Sequence, residues 1–437
     1  MNITIIGAGY VGLVTGACFA ELGMNVLCMD VDKQKVKKLE KGIIPIYEPG
    51  LDELIQKNTP DRLIFTTNLN EAVQFSDVIF IAVNTPTLEN NISDLSHVFK
   101  AAEEIALCMK GYKVIVNKST VPVFTGQRVK AIIKGILQEQ GKDIPFDVVS
   151  NPEFLQEGSA VNNFLQPDRI VIGFESIHAL DVMRNIYSSQ ILRGVPLVAT
   201  NIETSEMIKY ASNAFLATKI SFINEISNLC EGCGADVSVV AYAMGLDDRI
   251  GAKFLKSGPG YGGSCLPKDT KALLGIGKNI GYSPRLIKSV IEVNTAQKKL
   301  ACKKIKNAVK RLKKRTITLL GLSFKPETDD IRESPAIDII KYLVNSKAMV
   351  KVFDPKASEN MKKLYSEFQI EYCSDPYSAC DKSDCIVLVT EWKDFMELDF
   401  RRLKQIVRTP VFIDLRNVYE PDHIKKSGFQ YEGIGRR

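Results

Sequence analysis

The sequence predicts an α/β protein made of two parallel-sheet domains joined by a long central helix. Three observations carry this reading. Short apolar strands alternate with helical segments from Asn2 onward, no Gly or Pro interrupts the stretch from Ile202 to Glu231, and a second strand–helix series from Thr316 echoes the first. A chain of 437 residues is long enough for two or three domains. The expected division is 1–199, 200–300 and 301–437. Hydrophobic content of 45% and charged content of 25% are ordinary for a globular protein, and the mild net charge of +6 suits a small anionic ligand as well as a polymer.

The first strand, Asn2–Ile6, runs into Gly7-Ala8-Gly9-Tyr10-Val11-Gly12, then a helical pattern to Leu22, then a second strand, Asn25–Met29, ending in Asp30. In that context the glycines form a dinucleotide fingerprint, and the domain is expected to be Rossmann-like. Gly7 makes the tight turn, Gly9 admits a pyrophosphate to the backbone, and Gly12 lets helix and strand pack. Free N–H groups and the dipole at the helix amino terminus favour the phosphates. Asp30, 18 residues past Gly12, is placed to bind a ribose 2′-hydroxyl, which selects NAD over NADP.

Further strands are expected at Arg62–Thr66, Val78–Val83, Val114–Lys118, Asp147–Ser150 and Arg169–Ile172 in a parallel sheet. Ligands bind beyond the carboxyl ends of such strands. The loops there carry Thr85, Thr120, Glu153 and Glu157, each of which would be unremarked in an ordinary turn.

Thr200-Asn201-Ile202-Glu203 reads as a capping box opening one helix of about 28 residues, roughly 42 Å long. Met207, Ala211, Ala214, Thr218, Phe222, Ile226 and Leu229 form its apolar stripe. Lys209 and Asn213 lie one turn apart on this helix, a cation and an amide suited to a developing oxyanion. At its end, Cys230 and Cys233 are a single CxxC without further ligand pairs, read as packing, with no metal expected. No secretory n-region precedes Asn2 and no apolar run reaches about 18 residues, so the cytoplasm, with reduced thiols, is expected.

The most unusual stretch is Gly258-Pro259-Gly260-Tyr261-Gly262-Gly263-Ser264-Cys265-Leu266-Pro267-Lys268-Asp269. Four glycines and two prolines in twelve residues describe a shaped loop. An isolated cysteine ordinarily packs as a small hydrophobe. The glycine cage and the nearby Lys268 and Asp269 instead fit a nucleophilic thiolate that a substrate can reach.

Lys298–Arg315 carries ten basic residues and reads as a solvated helix face leading to a linker, not as a nucleic-acid surface, since no aromatic residues are interleaved. Beyond it, Thr316–Leu320, Val350–Asp354 and Asp384–Thr390 mirror the first sheet. The glycine fingerprint is degraded to Gly321-Leu322-Ser323-Phe324-Lys325-Pro326, so a nucleotide-type fold without a dinucleotide grip is expected. Lys325, Arg332 and Arg416 at its strand ends could hold a second phosphorylated ligand.

Taken in order, GAGYVG at Gly7, YEPGLDEL at Tyr47, VNTP at Val83, KSTVP at Lys118, SNPEFLQEG at Ser150, PDRIVIG at Pro167, GPGYGGSCLPKD at Gly258 and GLSFKPETDDIRESP at Gly321 make the chain resemble the nucleotide-sugar 6-dehydrogenases nearly end to end. The resemblance implies that Val11, Asp30, Lys35, Thr85, Thr120, Glu157, Lys268 and Arg332 contact NAD. It implies that Glu153, Phe154, Leu155, Glu157, Lys209, Asn213, Phe254, Leu255, Lys256, Ser257, Gly258, Gly262 and Lys325 hold a UDP-sugar. By the same resemblance Arg249 reaches the substrate of a neighbouring subunit in a homodimer built on the long helix. Cys265 would be the nucleophile, with Asp269 and Lys209 as its acid–base partners. Leu266 blurs the sugar, because members acting on GDP-mannose share GGSCLPKD with leucine.

The implied activity is a four-electron, NAD-dependent oxidation of UDP-glucose at C6 to UDP-glucuronate, with GDP-mannose or a UDP-N-acetylhexosamine as alternatives. Lys209 and Asn213 would stabilise the oxyanion. Asp269, with Thr120 and Glu157, would position water. A one-step hydroxyacid-type alcohol dehydrogenase has no need of Cys265, and a non-catalytic NAD-binding scaffold has no need of the thiol, lysine and acid together.

Overall fold

The computed structural model describes residues 1–88 and 93–436 and divides into two compact units, Met1–Ser212 and Asn213–Arg437. The first unit carries β1 (Asn2–Ile6), β2 (Asn25–Met29), β3 (Leu63–Thr66), β4 (Val78–Ile81), β5 (Lys113–Asn117), β6 (Phe146–Ser150), β7 (Ile170–Gly173) and β8 (Leu197–Thr200). They form one sheet in the order β3-β2-β1-β4-β5-β6-β7-β8. Strand order reverses at β1, which pairs with β2 (Ile3 with Val26) and with β4 (Ile5 with Phe80). That reversal opens a crevice at the carboxyl ends, the place where such sheets bind ligands. Both faces are covered, as the apolar strands require: Ile3, Ile5 and Val26 pack with Leu13, Val14 and Phe19 on one side, while Ile6, Ile79 and Ile81 pack with Ala102, Ile105 and Val129 on the other. Each such aliphatic side chain contributes roughly 1.5–3 kcal/mol on burial.

Two features differ from the sequence reading. β7 does not continue the parallel run; it meets β6 antiparallel, with Ser150 opposite Gly173. The only helix between them, Ala160–Leu165, has six residues and spans about 9 Å, too little to return the chain along a full strand. β7 therefore runs back toward β6 and meets it end to end, its last residue against the last residue of β6. β8, unrecognised in the sequence, then pairs parallel with β7, Ile170 opposite Leu197.

The long helix spans Ile202–Cys233, 32 residues. Its cap is Asn201, whose side chain accepts the Thr204 amide at 2.8 Å, and not Thr200, which ends β8. The expected apolar stripe is not the buried face. Met207, Ala211, Phe222 and Leu229 are exposed, Thr218 and Ile226 are half-buried, and of the seven only Ala214 is buried. The buried side is largely polar, with Ser205, Glu206, Lys209, Asn213, Ser221, Asn224 and Ser227. It stays buried because its groups find partners: Glu206 accepts the Phe124 and Gly126 amides, both at 2.8 Å, and Ser221 donates to the Val290 carbonyl at 3.0 Å.

The second unit holds β9 (Thr316–Leu320), β10 (Met349–Phe353), β11 (Ile370–Tyr372), β12 (Cys385–Leu388), β13 (Val411–Asp414) and β14 (Gln430–Glu432), all parallel in the order β11-β10-β9-β12-β13-β14. The correspondence with the first sheet extends to one carboxylate. Asp30, after β2, accepts the Ala8 amide at 2.9 Å; Asp354, after β10, accepts the Leu322 and Ser323 amides at 2.7 and 3.0 Å. Here, however, the buried Trp392 indole also donates to Asp354 at 3.2 Å. The basic run is only partly solvated. Half of its basic residues lie on helix Arg285–Val309, where Lys298 pairs with Asp338 at 3.0 Å and Lys304 with Glu231 at 2.6 Å, both lysine side chains about one-eighth exposed.

Candidate active site

In the first unit the fingerprint loop has the geometry a dinucleotide needs. Helix Tyr10–Glu21 starts at Gly9 with no side-chain cap, so its first amides are left for a ligand anion. Gly12 admits no side chain, since a Cβ there would sit 1.8 Å from the Gly7 carbonyl oxygen. Asp30 accepts from the amides of Ala8 and Asp32 and from Lys35 Nζ at 2.8 Å. Those bonds use three of the roughly four acceptor positions of a carboxylate, leaving room for a hydroxyl. These residues fit NAD. Thr85, at the end of the β4 loop, donates to the Thr120 carbonyl at 3.0 Å, and Ser119 donates to the Val83 carbonyl at 2.7 Å, so the two strand-end loops are tied together.

The same unit holds a buried ion pair. Lys209 Nζ lies 2.9 Å from Glu153 Oε1, each side chain 4% exposed. Burial would raise the Glu153 carboxyl, but Lys209, through charge and hydrogen bond, and the Leu155 amide hold it below the usual carboxylate value. Phe154 has two cations near its ring: the Arg169 guanidinium is 3.7 Å and Lys209 Nζ 5.3 Å from its centroid. Lys118 is a further buried cation, donating to Asn151 Oδ1 at 3.1 Å, and burial lowers its pKa to about 8. Glu157 is half-buried on the loop after β6.

In the second unit Cys265 is the residue from which helix Leu266–Asn279 starts, with Pro267 in its first turn and the Asp269 amide bonded to its carbonyl at 2.9 Å. The sequence reading placed Leu266–Asp269 in the loop; they are helical. A helix amino terminus favours negative charge on a sulfur placed there. Cys265 is half-exposed, and the Ser264 hydroxyl lies 3.4 Å from its Sγ. Asp269 is fully buried between two donors, Asn213 Nδ2 and Lys268 Nζ, each at 2.6 Å. The glycine loop is clamped from behind. Asn224 accepts the Gly258 amide at 2.8 Å, Gln297 donates to the Gly258 carbonyl at 2.9 Å, and Asn294 exchanges bonds with both backbone groups of Tyr261. Gly262 is obligatory, because a Cβ would meet the Glu333 carbonyl oxygen at 2.4 Å.

Not every expected residue joins these clusters. Arg249 is held by Asp247 at 2.6 Å with its side chain 88% exposed, and Arg332 forks onto Asp330. The Arg332 carbonyl nevertheless accepts the Gly263 amide at 2.8 Å. Arg416 donates to the carbonyls of Val389 and Phe324, and Lys325 lies 5.6 Å from the Phe324 ring centroid. Of the segment before the glycine loop, Leu255, Ser257 and Gly258 are buried, Phe254 is half-buried at φ 66°, and Lys256 is exposed. Sequence reasoning missed Glu206, Asn224, Asn294 and Gln297. For Asn224 a signal existed, since it continues the row Asn213, Ala217 and Ser221 along one helix face.

The nucleotide-type crevice of the first unit, with the uncapped amides of its first helix, is that of a nicotinamide-dependent dehydrogenase. Comparison with known proteins agrees. The UDP-glucose/GDP-mannose dehydrogenase family matches through its NAD binding domain at residues 1–191, its central domain at 203–296 and its UDP binding domain at 318–421. The chain is 49% identical over 441 residues to UDP-glucose 6-dehydrogenase of Rhizobium meliloti, covering all of both chains. It is 48% identical to UDP-glucose 6-dehydrogenase TuaD of Bacillus subtilis, covering all of this chain and 93% of that one. A solved UDP-glucose dehydrogenase from Pyrobaculum islandicum superposes with a TM-score of 0.91 at 35% identity, over 100% of this chain and 98% of that one. The chain belongs to the UDP-glucose/GDP-mannose dehydrogenase family.

Proposed function

We propose that the protein oxidises UDP-glucose at C6 to UDP-glucuronate in two steps. The observation that carries this is Cys265 at the start of helix Leu266–Asn279, beside the buried Asp269, in a chain matching UDP-glucose 6-dehydrogenases over its whole length. NAD supplies a hydride acceptor. Loss of hydride and hydroxyl proton from C6 gives an aldehyde, to which the Cys265 thiolate adds. Loss of a second hydride from C6 of the thiohemiacetal would leave a thioester on Cys265, which water would hydrolyse to the carboxylate and the free thiol.

Within this reading Lys209, buried against Glu153, is the cation for the oxyanion and the proton relay, with Asn213 as amide donor. Asp269, fixed by Asn213 and Lys268, handles the proton at the thiol or the attacking water, while Thr120 and Glu157 line the water's approach. Without sulfur, the reaction would end at the aldehyde. Gly7, Gly9, Val11, Gly12, Asp30, Lys35, Thr85, Lys268 and Arg332 are assigned to NAD. Phe154, Leu155, Phe254, Leu255, Lys256, Ser257, Gly258, Gly262, Lys325 and Arg416 are assigned to the UDP-sugar, with Arg249 serving a neighbouring subunit. The functional division is 1–199 for NAD, 200–300 for catalysis and dimerisation, and 301–437 for UDP.

We further propose a cytoplasmic homodimer. Phe215, Phe222 and Leu229 on the long helix, Val239 and Tyr242 on the helix Val237–Gly245, and Leu246 just past its end are exposed, an apolar surface suited to a second copy. The ten cysteines form no disulfide, which suits a reducing compartment. Incubation with NAD and UDP-glucose, following NADH and sugar acid together, should give two NADH per UDP-glucuronate. One NADH per sugar, or faster oxidation of GDP-mannose, would overturn the assignment.

A further inference from the structure

Glu48 lies in the YEPGLDEL stretch, outside both the fingerprint and the thiol loop, and is 3% exposed. No cation pairs with it among the described residues. Its charge is met by three donors from two distant segments. Oε2 accepts the Tyr10 hydroxyl, and the Gly158 amide at 2.6 Å; Oε1 accepts the Ala160 amide at 2.6 Å. Tyr10 opens the helix that follows Gly9. Gly158, in the left-handed region at φ 79°, directly follows Glu157 and closes the loop that begins at Asn151 and carries Glu153. One carboxylate thus fastens the dinucleotide loop to the loop bearing both candidate catalytic glutamates.

From this geometry we infer that Glu48 is a positioning residue, locking Tyr10 and the 151–160 loop into one arrangement in which NAD and the glutamates are in register. The inference rests on the proposed dehydrogenase reading. Carboxylate-to-amide bonds are strong and directional, so a neutral or shortened side chain cannot replace them. Glutamine illustrates the point. It offers one acceptor oxygen where three donors converge, and its NH2 must face either the Ala160 amide or the Gly158 amide. Burial and the neighbouring Glu48 also push the Tyr10 hydroxyl up, so it remains a donor at any working pH.

The test uses Glu48→Gln and Tyr10→Phe in the full chain, with four readouts: hydrogen exchange at Gly158 and Ala160 without NAD, NAD affinity, kcat with UDP-glucose, and thermal stability. Glu48→Gln should speed exchange at both amides, weaken NAD and lower kcat. Kcat/KM for NAD should fall about 10- to 100-fold, the scale of a displacement near 1 Å. Tyr10→Phe should weaken NAD by a smaller factor and leave exchange at Gly158 and Ala160 unchanged. A folded Glu48→Gln protein with lowered stability but wild-type NAD affinity and kcat would overturn the inference. If Glu48→Gln does not fold, Tyr10→Phe decides, and wild-type NAD affinity there sinks the link to the fingerprint loop. A wild type that oxidises no UDP-sugar would refute the reaction, and NAD affinity with exchange would still decide on Glu48.

Discussion

At the scale of residues, the sharpest expectation concerns Cys265. Cys265→Ala leaves Asp269, Asn213 and the NAD loop in place but removes the atom that would hold the substrate between oxidations. The variant should form UDP-glucuronate at least ~1,000-fold more slowly, while still reducing an added UDP-sugar 6-aldehyde to the alcohol with NADH. Product assay by chromatography separates the two activities, and near-normal acid formation would return Cys265 to the role of a packing residue. Lys118 gives a second expectation. Its pKa falls from 10.5 unfolded to about 8 folded, because burial penalises the charged amine. Between those values the unfolded chain holds a proton that the folded chain has released, so stability from this group rises with pH across that window and is lost as pH falls through 8. The swing is at most roughly 3 kcal/mol. Denaturant titrations at pH 7, 8.5 and 10 should show Lys118→Met losing that rise relative to wild type; identical pH dependence in both proteins would refute the assignment.

At the scale of elements, what could be read from the sequence was what depends on neighbours in the chain. Strand, GAGYVG, helix, strand and Asp30 are contiguous, so turn chemistry and capping specify them with little help from the rest of the fold. Pro267 was a legible sign that a helix begins beside Cys265, but four nearby glycines masked it. The direction of β7 was hidden because it follows from the length of a connection, not from any pattern inside the strand. β11 and β14, three residues each, are too short to carry a period. The long helix misled in a more instructive way. Its regular apolar residues marked its exposed side, while Glu206, Lys209, Asn213 and Asn224 were buried because backbone amides and partner side chains awaited them. Apolar spacing alone cannot tell the side of a helix that faces the core from the side that is exposed.

That exposed side becomes testable at the scale of the whole molecule. If a second copy covers it, Phe222→Glu and Leu229→Glu together place charges in an apolar contact and should convert a dimer to a monomer in light scattering at micromolar concentration. Each residue is already exposed, so the single chain should keep its fold and its circular dichroism. A wild type that is monomeric, or a double variant that stays dimeric, would sink the proposed assembly.

The two sheets also set a limit on traffic. Only the first sheet carries the intact glycine fingerprint beside its switch-point carboxylate. A reaction that releases two hydrides therefore cannot load both carriers at once. The first must depart and a fresh one enter while the half-oxidised sugar stays behind, so the residence time of the sugar has to exceed that of the reduced carrier. If the glycine loop clamped by Asn224, Asn294 and Gln297 holds the sugar as proposed, it must also detain it, and loosening the loop should let aldehyde escape before acid forms.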